Sequence, residues 1–150
     1  MLARLFASLL KGLQVQQLAA ARCVCGHTSR WWSRQKILKK VGWLSIRQLI
    51  YFHTVLQAHK AIVLGKPTSL SQALTSSYPY RTRRATMGQI RYGENFFGDS
   101  SLIQASFKHR AVHWYNAIPV SARTGSVPTV KRKLKKWVEQ NIPLFPPQMN

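Results

Sequence analysis

The chain has almost no acid. Of its 150 residues only Glu94, Asp99 and Glu139 carry carboxylates, so the first 93 positions hold none. Two-metal phosphoryl transfer needs a cluster of acidic ligands. Glycoside hydrolysis needs a carboxylate pair at a set separation. Glu94 and Asp99 are the one close pair; they lie in the Gly-rich stretch GENFFGDS, where two solvated loop acids or a helix cap is the simpler reading. Asp99 is the only aspartate, so the GDS triplet at 98–100 has no second aspartate to orient a catalytic histidine. A phosphate-cradling loop of the GxxxxGK(S/T) kind is also missing.

Cysteine is scarce as well. Cys23 and Cys25 are the only two, and their C-x-C spacing is too short for an easy disulfide. His27 extends the run to C-x-C-x-H, and His109 with His113 offers two more ligands on one predicted helix. Structural zinc prefers two to four residues between paired cysteines, so the expectation is no metal and no cofactor. Apolar runs are short: none reaches the roughly 18 residues of a membrane-spanning helix.

What the chain has is cation. Lys plus Arg number 23 against 3 acids, a formal net charge of +20. Self-repulsion makes that imbalance a burden on a compact fold. The usual reason to carry it is a polyanion: DNA, RNA or an anionic membrane surface. Hydrophobic content of 45% and aromatic content of 11% argue for a folded core rather than disorder.

Apolar spacing predicts an all-α class of about five helices. Residues 2–22 carry a stripe at Leu2, Leu5, Phe6, Leu9, Leu10 and Leu13. Ser33 caps a short basic helix that runs to Lys40 with Ile37 and Leu38 inward, and Gly42 ends it. Ser45 opens the longest helix, with Ile46, Leu49, Ile50, His53, Leu56 and Lys60 along one line and Phe52, Val55, Ile62 and Val63 widening it; Gly65 and Pro67 stop it. SLSQALT (69–75) reads as one more short helix. Residues 76–100 read as a long, irregular basic loop, since the alternation in YRTRRAT and QIRYGENFF is poor for strands. Helix returns over 102–117, Pro119 ends it, and 120–127 reads as a turn. Val127 or Ser126 caps the last helix, with Pro128 in its first turn. Val130, Leu134, Trp137 and Val138 form one face of it, and Lys131, Arg132, Lys133, Lys135 and Lys136 the other. The domain reading is one module over 1–142, with an amphipathic helix at 1–25, and an extended Pro-rich tail at 143–150.

Basic residues interleave with aromatics. Arg30, Arg34, Lys36, Lys39 and Lys40 surround Trp31 and Trp32; Arg81, Arg83, Arg84 and Arg91 surround Tyr78, Tyr80 and Tyr92. Cations neutralise phosphates and release counterions, the arginine fork binds two oxygens at once, and aromatic faces stack on unpaired bases. The candidate nucleic-acid contacts are therefore Arg30, Arg34, Arg81, Arg83, Arg84, Arg91, Lys131, Arg132, Lys133, Lys135 and Lys136. The competing reading is a solvated loop anchored by Tyr78 and Tyr80, and a tryptophan pair that plugs a helix corner. The last helix has two other readings, membrane-surface binding and docking into a partner's groove.

Four blocks in order carry a family resemblance: AARCVCG (20–26) with GWLSIRQLIYFHTVLQAHK (42–60), YPYRTR (78–83), SFKHRAVHWYNAIP (106–119) and KRKLKKWV (131–138). Together they resemble the C-terminal end of the reverse transcriptase polyprotein of non-LTR (LINE-type, jockey-like) retrotransposons, over roughly residues 15–142. In that family this region is a small α-helical extension that follows the polymerase. The resemblance implies a helix start at Trp43, Leu44, Ser45 and Arg47, and a loop signature at Tyr80, Arg81, Thr82 and Arg83. It also implies a packing block of Phe107, Arg110, Ala111, Trp114, Asn116 and Pro119. Cys25 departs from the small or hydroxyl residue expected there. The family's Tyr/Phe-Ala-Asp-Asp polymerase box has no counterpart in this chain, nor have its endonuclease carboxylates and histidines.

The expectation is thus a non-catalytic basic helical module that binds RNA or DNA backbone, partnered in the parent polyprotein by an upstream polymerase domain. It would be nuclear or cytoplasmic as a ribonucleoprotein. The alternative is a mitochondrially targeted basic structural or ribonucleoprotein component. It rests on the basic, acid-free, amphipathic segment MLARLFASLLKGLQVQQLAAAR.

Overall fold

A computed structural model describes residues 2–26, 32–75, 89–92 and 107–143. Among them the chain is all-α, with seven helices and one minimal strand pair. The helices are α1 (Leu2–Cys25), α2 (Arg34–Val41), α3 (Ile46–Leu64), α4 (Thr68–Ala73), α5 (Phe107–Ala117), α6 (Val120–Arg123) and α7 (Val127–Asn141). Strands β1 (Leu74–Thr75) and β2 (Arg91–Tyr92) pair antiparallel, Leu74 with Tyr92 and Thr75 with Arg91. The chain divides into two compact units, one of residues 1–50 and 139–150, the other of residues 51–138.

In the first unit α1 and α2 pack through Leu18, Ala21, Ile37 and Leu38, fringed by Cys25, Trp32 and Val41. The ends of α2 follow from two residues. Ser33 leaves its Oγ to accept the Lys36 N–H at 3.3 Å. Gly42 turns left-handed at φ 67°. Its N–H then donates to Lys39 O at 3.1 Å while Trp43 N–H donates to Leu38 O at 3.0 Å. That pair of bonds is a Schellman stop, which needs a residue without a Cβ penalty at the left-handed position. The start of α3 is a reciprocal box. Gln48 N–H donates to Ser45 Oγ at 3.3 Å, and Ser45 N–H donates to Gln48 Oε1 at 3.0 Å. Gln48 also donates through Nε2 to the Ile142 carbonyl at 2.8 Å, so a fully buried amide is satisfied.

In the second unit α3 buries Tyr51, Phe52, Val55, Leu56, Ala58, His59 and Ala61. Tyr51 stacks on Trp114 at 4.8 Å and on Trp137 at 5.8 Å between centroids, and its hydroxyl donates to the Trp114 carbonyl at 3.1 Å. The Asn116 side chain pairs with one backbone residue: Oδ1 accepts the Ile90 N–H at 2.9 Å and Nδ2 donates to Ile90 O at 2.8 Å. This amide bond pair and the β1–β2 ladder hold Ile90, Arg91 and Tyr92, so the described part of the stretch read as an irregular loop over 76–100 contains a short strand, and the rest of that stretch lies outside the described residues.

Several expectations change. SLSQALT is not helical throughout: Leu74 and Thr75 leave α4 to pair with β2, a non-local choice that local spacing cannot register. The stretch read as a turn after Pro119 contains the one-turn helix α6, so the helices number seven among the described residues rather than about five. His53, placed on the apolar line of α3, is exposed, and so is Val63. The buried face instead follows the 51, 52, 55, 56, 58 and 59 positions. On α1 the stripe residues Leu9 and Leu13 are 63% and 55% exposed, and of the side chains described on that helix, residues 8–25, Leu18 and Ala21 are the buried ones.

Candidate nucleic-acid interface

Helix α7 separates its residues by face. Val130, Leu134 and Val138, spaced by four, are fully buried. Lys131, Arg132, Lys133, Lys135 and Lys136 are all exposed. The spacing places Lys131 with Lys135, and Arg132 with Lys136, one turn apart. Like charges so spaced destabilise a helix by about 0.2–0.5 kcal/mol per pair. Such a ridge is therefore held by the apolar face against its own repulsion. Lys133 has a structural role too: its Nζ donates to Ser121 O at 2.9 Å and to Thr124 O at 3.3 Å, capping carbonyls at the end of α6.

Helix α2 uses its cations differently. Lys36 and Lys40, again one turn apart, place Nζ over the Trp32 ring at 4.8 and 4.6 Å from its centroid. The ring's negative face offsets their mutual repulsion. Arg34 and Lys39 are exposed beside them. Trp32 is half-buried against the α1–α2 core, so it serves as packing and as a cation platform at once.

Of the candidate contacts, the structure gathers Lys131, Arg132, Lys133, Lys135 and Lys136 on one helix and sets Arg34 on another. Arg91 lies in β2. Arg30, Arg81, Arg83 and Arg84 lie outside the described residues, as do Trp31, Tyr78, Tyr80, Glu94, Asp99 and His27. Among the described residues no three metal-ligating side chains converge, and Cys23 and Cys25 are both unbridged. No described helix is long and apolar enough to cross a membrane.

Sequence reasoning misses a second polar group. His59 from α3, Tyr115 from α5 and Arg123 from α6 are all buried and adjoin one another. His59 Nδ1 lies 3.2 Å from the Tyr115 hydroxyl. The Arg123 guanidinium sits 5.3 Å from the Tyr115 ring centroid. Burial lowers the His59 pKa, and burial raises that of Tyr115 against an opposing pull from Arg123. Three separate elements supply these residues, so no local motif announces them.

No protein-family model, curated protein sequence or solved structure matches the chain.

Proposed function

We propose that this protein is a non-catalytic nucleic-acid-binding module, derived from the C-terminal tail of a non-LTR retrotransposon reverse transcriptase, that grips phosphate backbone beside a polymerase acting elsewhere. The observation that carries the reading is the division of α7: three apolar side chains fully inside and five cations outside. Accumulating like charge on one exposed face weakens an isolated helix. A polyanion converts that cost into binding free energy, because each neutralised phosphate releases counterions. The Lys36–Trp32–Lys40 cluster adds an aromatic platform of the kind that accepts unpaired bases.

Fluorescence anisotropy with single-stranded RNA and duplex DNA, repeated across salt, tests this. With about six phosphate contacts, log affinity falls about five units per decade of salt. Replacing Lys131, Arg132 and Lys136 with Gln lowers that slope by roughly 0.9 for each phosphate no longer neutralised, while circular dichroism keeps its helical signal. Replacing Arg81, Arg83 and Arg84 with Ala weakens binding likewise. Affinity that is flat in salt, or unchanged in both triple variants, removes the proposal.

A second reading, mitochondrial targeting, is favoured by one feature of α1. Leu9, Leu13, Val15 and Val24 are exposed on a helix whose described cations, Lys11 and Arg22, are exposed too. A reporter fused to residues 1–22 discriminates; a diffuse or nuclear signal removes that reading.

A further inference from the structure

The second unit contains a cavity of about 260 Å³ lined by His59, Val63, Tyr115, Val120, Arg123, Thr124 and Gly125. Its lip is open, since Val63 and Val120 are 51% and 46% exposed. Its polar wall is buried: His59, Tyr115 and Arg123 are each no more than 6% exposed. None of the lining residues is acidic.

The wall has a definite chemistry. The Tyr115 hydroxyl engages His59 Nδ1, and the two rings stack 6.2 Å apart at 19°. That leaves Nε2 as the ring nitrogen for any ligand. Nε2 meets no partner in hydrogen-bond geometry, although the Gly125 backbone lies near enough to oppose part of the burial effect on the ring. Buried polar atoms are ordinarily paired, and one left bare is costly. An apolar occupant would leave Nε2 bare, and a cationic one is repelled by Arg123. A metal ion would find a single nitrogen and no carboxylate or thiolate on this wall. An anion suits both the positive charge of Arg123 and the unpaired Nε2 of His59. The volume is below the usual range for drug-sized ligands, so the anion is small.

We propose that this cavity binds one phosphoryl group, held by the Arg123 guanidinium and His59 Nε2 with Tyr115 fixing the imidazole. Of the basic ridge on α7, Lys133 reaches the cavity, through its bond to the Thr124 carbonyl, and the proposal does not rest on the nucleic-acid reading. Free phosphate and the terminal phosphate of a nucleic-acid strand share the chemistry, and the test separates them.

The experiment follows the histidine ring resonances of the full chain by ¹H–¹⁵N NMR, with His59 assigned by loss of its signal in His59→Gln. Sodium phosphate is titrated at constant ionic strength against chloride. The expected result is a saturable shift of the His59 nitrogens, with the ring's pKa rising by about one unit or more as an anion settles beside it. Tyr115 and Arg123 are the other titratable groups on the wall, and neither changes charge near neutral pH. Arg123→Lys keeps the charge and loses the fork, so phosphate affinity falls about tenfold. Should that variant fail to fold, the wild-type titration still decides. A saturable response to inorganic phosphate identifies the free anion as sufficient. A response only to a 5′-phosphorylated dinucleotide, not to its 5′-hydroxyl form, identifies a strand end. Equal shifts with chloride and phosphate, or none with either probe, overturn the site. His59→Gln retains the salt-dependent binding of 5′-hydroxyl strands, which present no terminal phosphate to the cavity, so failure of the cavity and failure of the ridge are read separately.

Discussion

In the first unit the buried polar side chains among the described residues are Ser45 and Gln48, which satisfy each other and never ionise. In the second they include His59 and Arg123, and the buried phenols Tyr51 and Tyr115 stand with them. The two units also place their exposed cations differently: α2 folds two lysines over Trp32, whereas α7 presents a ridge. A neutral reciprocal cap fixes a helix start at any pH. A buried ionisable group makes stability depend on proton activity. The contrast teaches that the second unit carries, among the described residues, the buried ionisable groups that tie its stability to pH, together with an exposed cationic ridge.

Core truncation is the strongest way to probe each unit alone. Leu134 is fully buried in the second unit and Leu38 in the first. Leu134→Ala and Leu38→Ala each cost about 2–5 kcal/mol, measured by urea unfolding. Leu134→Ala removes the support under the cationic ridge, so if the ridge binds nucleic acid as proposed this variant also weakens that binding. Leu38→Ala should leave the α7 ridge intact. A variant of Leu134 that binds as well as wild type would detach the ridge from its apolar face.

A smaller effect comes from pH, and its sign is set by direction of shift. Burial lowers the His59 pKa below its ordinary 6.5. The unfolded chain therefore takes up that proton first, so the stability His59 contributes is present above 6.5 and is lost as pH falls through the folded value. Stability measured from about pH 7.5 down to about 5.5 should decline, and His59→Gln should flatten that decline. At the alkaline end burial pushes the Tyr51 phenol up to about 12 from 10.0. Its contribution is whole below 10.0 and is lost as pH rises toward about 12, so Tyr51→Phe lessens the alkaline limb and leaves the part that Tyr115, also raised by burial, contributes. An acid limb that is identical in His59→Gln would place the sensitivity elsewhere than this ring.

The helix ends are legible in the sequence because their chemistry is local. Ser33 with Gly42, and Ser45 at the head of α3, are single residues whose side chain or backbone freedom dictates a cap. The split face of α7 is legible because its period is regular. What stays hidden depends on distant partners. Leu74 and Thr75 leave helical geometry only because Tyr92 and Arg91 are there to pair with. One turn of helix at Val120–Arg123 is shorter than any period that spacing can detect. An apolar line drawn from Ile46 and Leu49 favours His53 over His59. The burial that matters is set by what α5 and α6 bring to the other side. Asn116 enters only through the resemblance, and its pairing with Ile90 spans 26 residues of sequence. Within the basic stretch, Ile90 is held by Asn116 and Arg91–Tyr92 by pairing with Leu74–Thr75, partners that alternation in the stretch itself does not reveal.

The finest distinction between the two units is the sign of a charge deletion. On α2, Lys36→Gln with Lys40→Gln removes two cation–ring interactions worth about 0.5–1 kcal/mol each at an exposed site. It also relieves one like-charge pair worth about 0.2–0.5 kcal/mol. The ring interactions win, so this double variant should be less stable by about 1 kcal/mol at low salt. On α7, no described aromatic ring lies under Lys131 or Arg132. Lys131→Gln with Arg132→Gln relieves two like-charge pairs, and Gln matches Lys and Arg closely in helix propensity, so the helix should gain about 0.4–1 kcal/mol. Added salt should shrink the gain on α7, because screening already weakens exposed repulsion. It should shrink the loss on α2 less, because Trp32 is half-buried against the core. If both doubles shift stability in the same direction, Trp32 is not holding its lysines, and the two basic helices are the same device after all.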